Sequence, residues 1–140
     1  MTGAKKILST ADYQMLATLR FTLRKFSDFS TSAAQEEGLP SQQHQALLAI
    51  KGHAGSEAMT IGLLASRLLI APHTATELVN RLTRSGLVAR KVDSADKRRQ
   101  FLELTGKAEE IMLRLTSTHM TEIKEMAPEL ILLLQKLQDS

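Results

Sequence analysis

Residues 60–105, TIGLLASRLLIAPHTATELVNRLTRSGLVARKVDSADKRRQFLELT, decide the fold. Thr60 precedes Ile61, Leu64, Ala65 and Leu68, which fall at i, i+3, i+4 and i+7 and so form one apolar stripe on a capped helix. After the turn LIA, Pro72 suits the first position of a second helix, where its missing N–H costs nothing. Ala75, Leu78, Val79 and Leu82 repeat the same stripe up to Gly86, a good C-terminal stop. Next come Leu87 to Val92, the polar run DSADKRR, and Gln100 to Leu104, where Leu102 and Leu104 alternate with Phe101 and Glu103 as in a half-buried strand. The pattern predicts helix, tight turn, helix and then a β-hairpin with a basic tip.

On both sides the chain reads as helix. Ser9 and Asp12 have capping-box spacing, and Tyr13, Leu16, Leu19, Leu23 and Phe26 recur at helical intervals, predicting a first helix over about 10–35 that EEGLP ends. Ser41 is placed to cap a second helix carrying Ala46, Leu47 and Ile50, stopped by Gly52 and Gly55, with Met59 in a short strand beyond it. From Thr105 a helical pattern runs through Ala108, Ile111, Met112, Leu115, His119, Ile123 and Met126, and Pro128 marks a break and a new start. The last segment, ELILLLQKLQ, is apolar around too much of its circumference to serve only its own core, which calls for a partner subunit. The expected fold is mainly α with a small β-hairpin wing. Residues 1–140 form one domain, 41–105 the winged helix-turn-helix core, and 9–36 and 106–140 dimerisation helices.

Composition narrows the function. Without cysteine there is no disulfide, thiol switch or sulfur ligand for zinc, and sensing of hydroperoxides through a reactive thiol is excluded. The four histidines are scattered, and neither a Gly-rich phosphate loop nor an H-E-x-x-H cluster occurs, so an enzyme is not expected. No cofactor or bound metal is expected either. The opening residues MTGAKKILSTADYQ lack the apolar core of a signal peptide, and LILLL at 130–134 is far too short to span a bilayer, predicting a cytoplasmic protein with no membrane partner.

Charge is distributed unevenly. From Thr60 to Lys107 nine Lys or Arg face four acids, giving +5, while the rest of the chain carries −2. A basic centre with mildly acidic arms is a surface for a polyanion. On the helix over 72–84 the face opposite the apolar stripe carries His73, Thr74, Thr76, Glu77, Asn80, Arg81 and Arg84. These side chains can donate and accept hydrogen bonds at base edges and phosphates. Arg90, Lys97, Arg98 and Arg99 add a basic hairpin suited to a phosphate or a narrow minor groove, with Asp96 able to orient a neighbouring arginine.

The stretch from Thr60 to Thr105 resembles the winged-helix core of the MarR (multiple antibiotic resistance regulator) family. In LLASRLLIAPHTATELVNRLTRSGLVAR, Leu64, Ala65, Leu68, Thr74, Val79, Arg81, Leu82, Gly86, Leu87, Val88 and Arg90 stand at matching places. In the wing, Asp96, Arg98, Leu104 and Thr105 match an Asp-x-Arg, five residues, Leu-Thr pattern. The flanking helices also follow the family's plan. The resemblance implies a transcriptional regulator, more often a repressor, binding as a homodimer to a roughly palindromic double-stranded operator with half-sites about one helical turn apart. It further implies release by a small aromatic, often phenolic, effector bound between the dimerisation helices and the winged domain, where Tyr13, Arg20, His44 and Lys51 are candidate ligand contacts.

Three features depart from the family pattern. Ala71 stands where a Ser or Thr cap is common, Ala108 replaces a frequent Gly, and Glu77 sets an acid on the reading face, where it can accept from cytosine N4 or pair with Arg81. Two other readings compete. One is a metal-responsive regulator of the same fold, with His44, His53 and His119 meeting where the second and fifth helices pack. The other is a winged-helix module whose basic face contacts protein.

Overall fold

The computed structural model describes residues 7–55 and 57–140. The reading of the opening residues as lacking an apolar leader falls partly on residues 1–6, outside those described. α1 (Thr10–Glu36) starts at the expected capping box, with the Ser9 hydroxyl accepting from the Asp12 N–H and the Asp12 carboxylate accepting from the Ser9 N–H. Gly38, at φ +78°, lets the chain reverse into Leu39, a buried residue.

α2 (Ser41–Lys51) begins one residue earlier than Ser41 predicts. Its N-cap is Pro40, whose carbonyl accepts from the N–H groups of Gln43 and His44. Ser41 lies in the first turn, and its hydroxyl accepts from Gln45 Nε2 at 3.0 Å instead of capping. Met59 forms no strand either. It meets the hairpin through one bond, its carbonyl accepting the Leu102 N–H at 2.8 Å.

α3 (Ile61–Leu68) and α4 (Pro72–Arg84) follow as expected, with the Thr60 hydroxyl accepting from the Leu63 N–H and Pro72 in the first turn of α4. Between them Leu69 takes the left-handed conformation, φ 57° and ψ 43°, to turn the chain. Gly86, at φ +73°, turns α4 into β1 (Val88–Val92), which pairs antiparallel with β2 (Gln100–Leu104) in the register Val88↔Leu104, Arg90↔Leu102 and Val92↔Gln100. Thr105 locks the base of this wing. Its hydroxyl donates to the Gly86 carbonyl at 2.6 Å and accepts from the Ala108 N–H, so one side chain ties the end of α4 to the start of α5.

α5 (Gly106–Gln138) is continuous through Pro128, where the sequence predicts a break. Proline inside a helix forfeits one backbone bond and costs about 3 kcal/mol. Here Pro128 is exposed while its neighbours Met126, Ala127 and Leu130 are partly buried along α5, which packs against α1. Burial of that face offsets the lost bond. The core sits where α2, α3, α4, the hairpin and the first turns of α5 meet, around Leu47, Leu64, Val79 and Leu82, none with measurable exposure. It holds α4 and the wing in one rigid relation, while α1 and the rest of α5 project as a packed pair of long arms. Among the described residues, no helix is long and apolar enough to cross a membrane.

Candidate nucleic-acid interface

α4 divides cleanly. Ala75, Leu78, Val79 and Leu82 are buried against α3 and the hairpin, leaving His73, Thr76, Glu77, Arg81 and Arg84 exposed and Thr74 and Asn80 half-buried at the margins. The Thr76 hydroxyl donates back to the Pro72 carbonyl at 3.1 Å. Ala71, the N-cap, offers no side-chain acceptor, so the first N–H groups of α4 are left without a side-chain cap. Glu77 and Arg81 form no ion pair with each other, so both are available to an external partner.

The wing that follows α4 holds its cations in four different ways. Arg98 is held by Asp96, whose Oδ1 accepts from both the backbone N–H, at 3.0 Å, and Nε, at 3.3 Å, while the guanidinium end stays in solvent. Arg99 is laid over the Phe101 ring at 5.8 Å, and its backbone closes the tip with Arg99 N–H donating to the Asp96 carbonyl. Lys97 is exposed, with no hydrogen bond or ion pair among the described residues. Arg90 is different again. Its Nη2 donates to Asn80 Oδ1, a bond from the wing to α4.

Sequence reading left two nearby cations unassigned. Lys107 donates to the Ser85 carbonyl at 3.1 Å, completing the end of α4, and Lys91 lies exposed on the side of β1 opposite Arg90. Lys91 was legible from strand alternation, whereas the Lys107 contact depends on how α5 returns to α4.

The four candidate ligand residues are not gathered in one place. Lys51 lines an open groove of about 540 Å³ between α2 and α5, with Leu48, Met112, Leu113 and Thr116, and pairs across it with Glu109 at 2.9 Å. Tyr13 and Arg20 lie exposed on the N-terminal half of α1, and His44 is buried. Nor do the three histidines converge. His44 and His119 are in ring contact, but His53 donates to the Glu57 carbonyl at 2.7 Å in the loop after α2. Among the described residues no three His, Asp or Glu side chains are placed to hold a metal ion.

A helix-turn-helix whose second helix keeps a polar face, followed by a basic hairpin and carried on two long helices, defines a winged helix-turn-helix protein. Residues 37–99 match the MarR family. The chain is similar to the transcriptional activatory protein BadR of Rhodopseudomonas palustris, 33% identical over 75 residues that cover 54% of this chain and 43% of that protein. It thus spans under half of that relative's length. Its fold is that of a MarR family protein from Bacillus stearothermophilus, with a TM-score of 0.77 at 19% identity over 96% of this chain and 95% of that one. It is also the fold of a Staphylococcus aureus MepR mutant bound to an oligodeoxyribonucleotide, with a TM-score of 0.68 at 20% identity over 93% and 99% of the two chains. The matched segment spans the helix-turn-helix and the first strand of the wing, and the fold of the whole chain is that of MarR family structures.

Proposed function

We propose that this protein is a sequence-specific DNA-binding transcription regulator that acts as a homodimer. The observation that carries this reading is the shared exposure of the α4 face and the wing cations, with Asp96 orienting Arg98 beside a helix whose opposite side is wholly buried. In such an arrangement α4 enters a major groove, His73, Thr74, Thr76 and Glu77 meet base edges, Arg81 and Arg84 meet phosphates, and Lys97 and Arg98 reach the adjacent minor groove. The α1–α5 arms join two copies, setting half-sites about one helical turn apart.

Repression relieved by a small aromatic ligand is the regulatory mode we propose, with the groove between α2 and α5 as the entry point and Lys51 as its cation. Support comes from its mainly apolar walls and its place between the arm and the winged unit. The name of the R. palustris relative is that of an activator, and a bound dimer activates or represses according to where its operator lies.

The test is fluorescence anisotropy against the DNA upstream of the protein's own gene and a scrambled duplex, at two salt concentrations, with and without salicylate. Tight, salt-sensitive binding that prefers the upstream DNA, weakened across all sequences by Arg98→Ala, is the expected result. Absence of binding to either duplex at low salt overturns it and favours a protein-binding winged helix.

A further inference from the structure

We infer that Asn80 is a positioning residue for Arg90, which is itself a phosphate contact, and that Asn80 does not read a base. This rests on the DNA-binding reading above. An asparagine on a recognition helix reads adenine with both ends of its amide, the oxygen accepting from N6–H and the nitrogen donating to N7. In this structure the Asn80 oxygen is already engaged by the Arg90 guanidinium. The oxygen has a second lone pair, but the charge-assisted bond fixes the direction in which the amide points, so turning both of its ends to adenine works against that bond.

Strand geometry explains why the pair forms. Arg90 sits opposite Leu102 and two residues from Val88, both buried, so all three share the core-facing side of the hairpin. A cation on that side cannot enter the core. Its side chain instead runs beyond the edge of the packed residues towards α4, where Asn80, half-buried beside the exposed face, supplies a fixed acceptor. Thr76 and Arg84 lie one turn before and one turn after Asn80, so the guanidinium is held beside the outward face of α4. Arg90 remains exposed and has donors to spare for a phosphate. Asn80 restricts the rotamers of a long side chain before DNA arrives, which reduces the entropy cost of the contact.

The consequence is that a neutral substitution changes the count of ionic contacts. With a mixed-sequence duplex, Asn80→Ala lowers the slope of log affinity against log salt by about 0.9, so the ratio of affinities at about 50 and about 200 mM salt shrinks roughly 3- to 4-fold. Arg90→Gln gives the same reduction, and the double variant falls no further. Loss of folded protein alters the binding amplitude and leaves the slope unchanged, so a merely structural role for Asn80 does not mimic this result. A wild-type slope for Asn80→Ala, or a further drop in the double variant, overturns the inference, as does lost discrimination at one operator base pair without a change in slope. If the wild-type protein shows no salt-dependent binding to the duplex at all, the DNA-binding reading falls and this assignment falls with it.

Discussion

His44 of α2 and His119 of α5 lie in ring contact, centroids 4.9 Å apart and planes inclined by 48°, at the point where the arms join the winged unit. His119 is fully engaged. Its Nδ1 donates to the Leu115 carbonyl at 2.7 Å, its Nε2 is hydrogen-bonded to the Ser30 hydroxyl at 2.8 Å, and Phe26 and Phe29 pack edge-on against the ring. His44 is 3% exposed, and its buried Nδ1 has no hydrogen-bond partner among the described residues.

That difference predicts an acid-sensitive fold. Burial, and secondly the neighbouring His119, push the His44 pKa below the ordinary histidine value. Below about pH 6.5 the unfolded chain therefore binds a proton that the native state resists, and stability falls as pH drops until the native value is reached. The slope from this one site is at most about 1.4 kcal/mol per pH unit. His44→Leu removes an unsatisfied group along with the titration, so urea midpoints at fixed protein concentration are expected to fall less steeply in acid for the variant than for the wild type. Equal acid slopes for the two proteins count against this account.

Glu37 and Arg114 clamp the end of α1 to α5 through two parallel bonds of 2.9 and 2.8 Å. The hydrogen bond from Arg114 is the main reason the Glu37 carboxyl lies below its ordinary value, and the same bond raises the guanidinium. The contribution of the pair is present above the usual carboxylate range and is lost as pH falls through the depressed Glu37 value. Arg114 is exposed, so the effect is modest and screened. Arg114→Ala is expected to lower the melting temperature at neutral pH and low salt, and the gap from wild type narrows in high salt. A gap that is indifferent to salt assigns Arg114 to packing instead.

Leu69 is a site where stability can be gained. A left-handed L-residue costs about 1–2 kcal/mol relative to the right-handed form, and at 92% exposure this side chain returns almost no burial. Glycine removes the penalty while adding about 0.5–1 kcal/mol of unfolded-state entropy, so Leu69→Gly gains up to roughly 1.5 kcal/mol. A rise in the urea midpoint with an unchanged m-value is the expected signature, and a fall identifies Leu69 as a contact the fold needs.

What the sequence made legible is what local rules control. Ser9 with Asp12, Thr60, Pro72 and Gly86 mark element ends through contacts a few residues long, and the structure places caps, a first turn and a stop there. Pro128 misled for a physical reason, because the local cost of a helical proline is offset by an apolar face packed along a distant helix. Ser41 misled by one residue, since Pro40 with an extended ψ of 146° already ends the preceding loop. On the interface, periodicity separates the polar face of α4 from its buried stripe, and the spacing of Asp96 and Arg98 anticipates their bond. The meeting of His44 and His119 was anticipated, though not the separation of His53, whereas the Asn80–Arg90 pair was not legible, because it joins two elements whose relative placement only the packed core determines.

The arms carry the remaining prediction. Leu23, Phe26, Ile123, Met126, Ala127, Leu130, Ile131 and Leu134 line an open hollow of about 300 Å³ that has no polar lining. Four of these residues, Leu23, Ile123, Ile131 and Leu134, are among the exposed large hydrophobic side chains. A contiguous apolar surface of this kind is costly in water and is covered when two arms intertwine. Placing an unpaired carboxylate there costs several kcal/mol in the covered state and little in the open one, and each 1.4 kcal/mol is a factor of ten in association. Ile131→Glu is therefore expected to sediment as a monomer at concentrations where the wild type is a dimer, and its operator affinity falls because two half-sites are no longer engaged together. If the variant sediments with the wild-type dimer, the subunits associate through some other surface, and the half-site geometry has to be rebuilt from that surface.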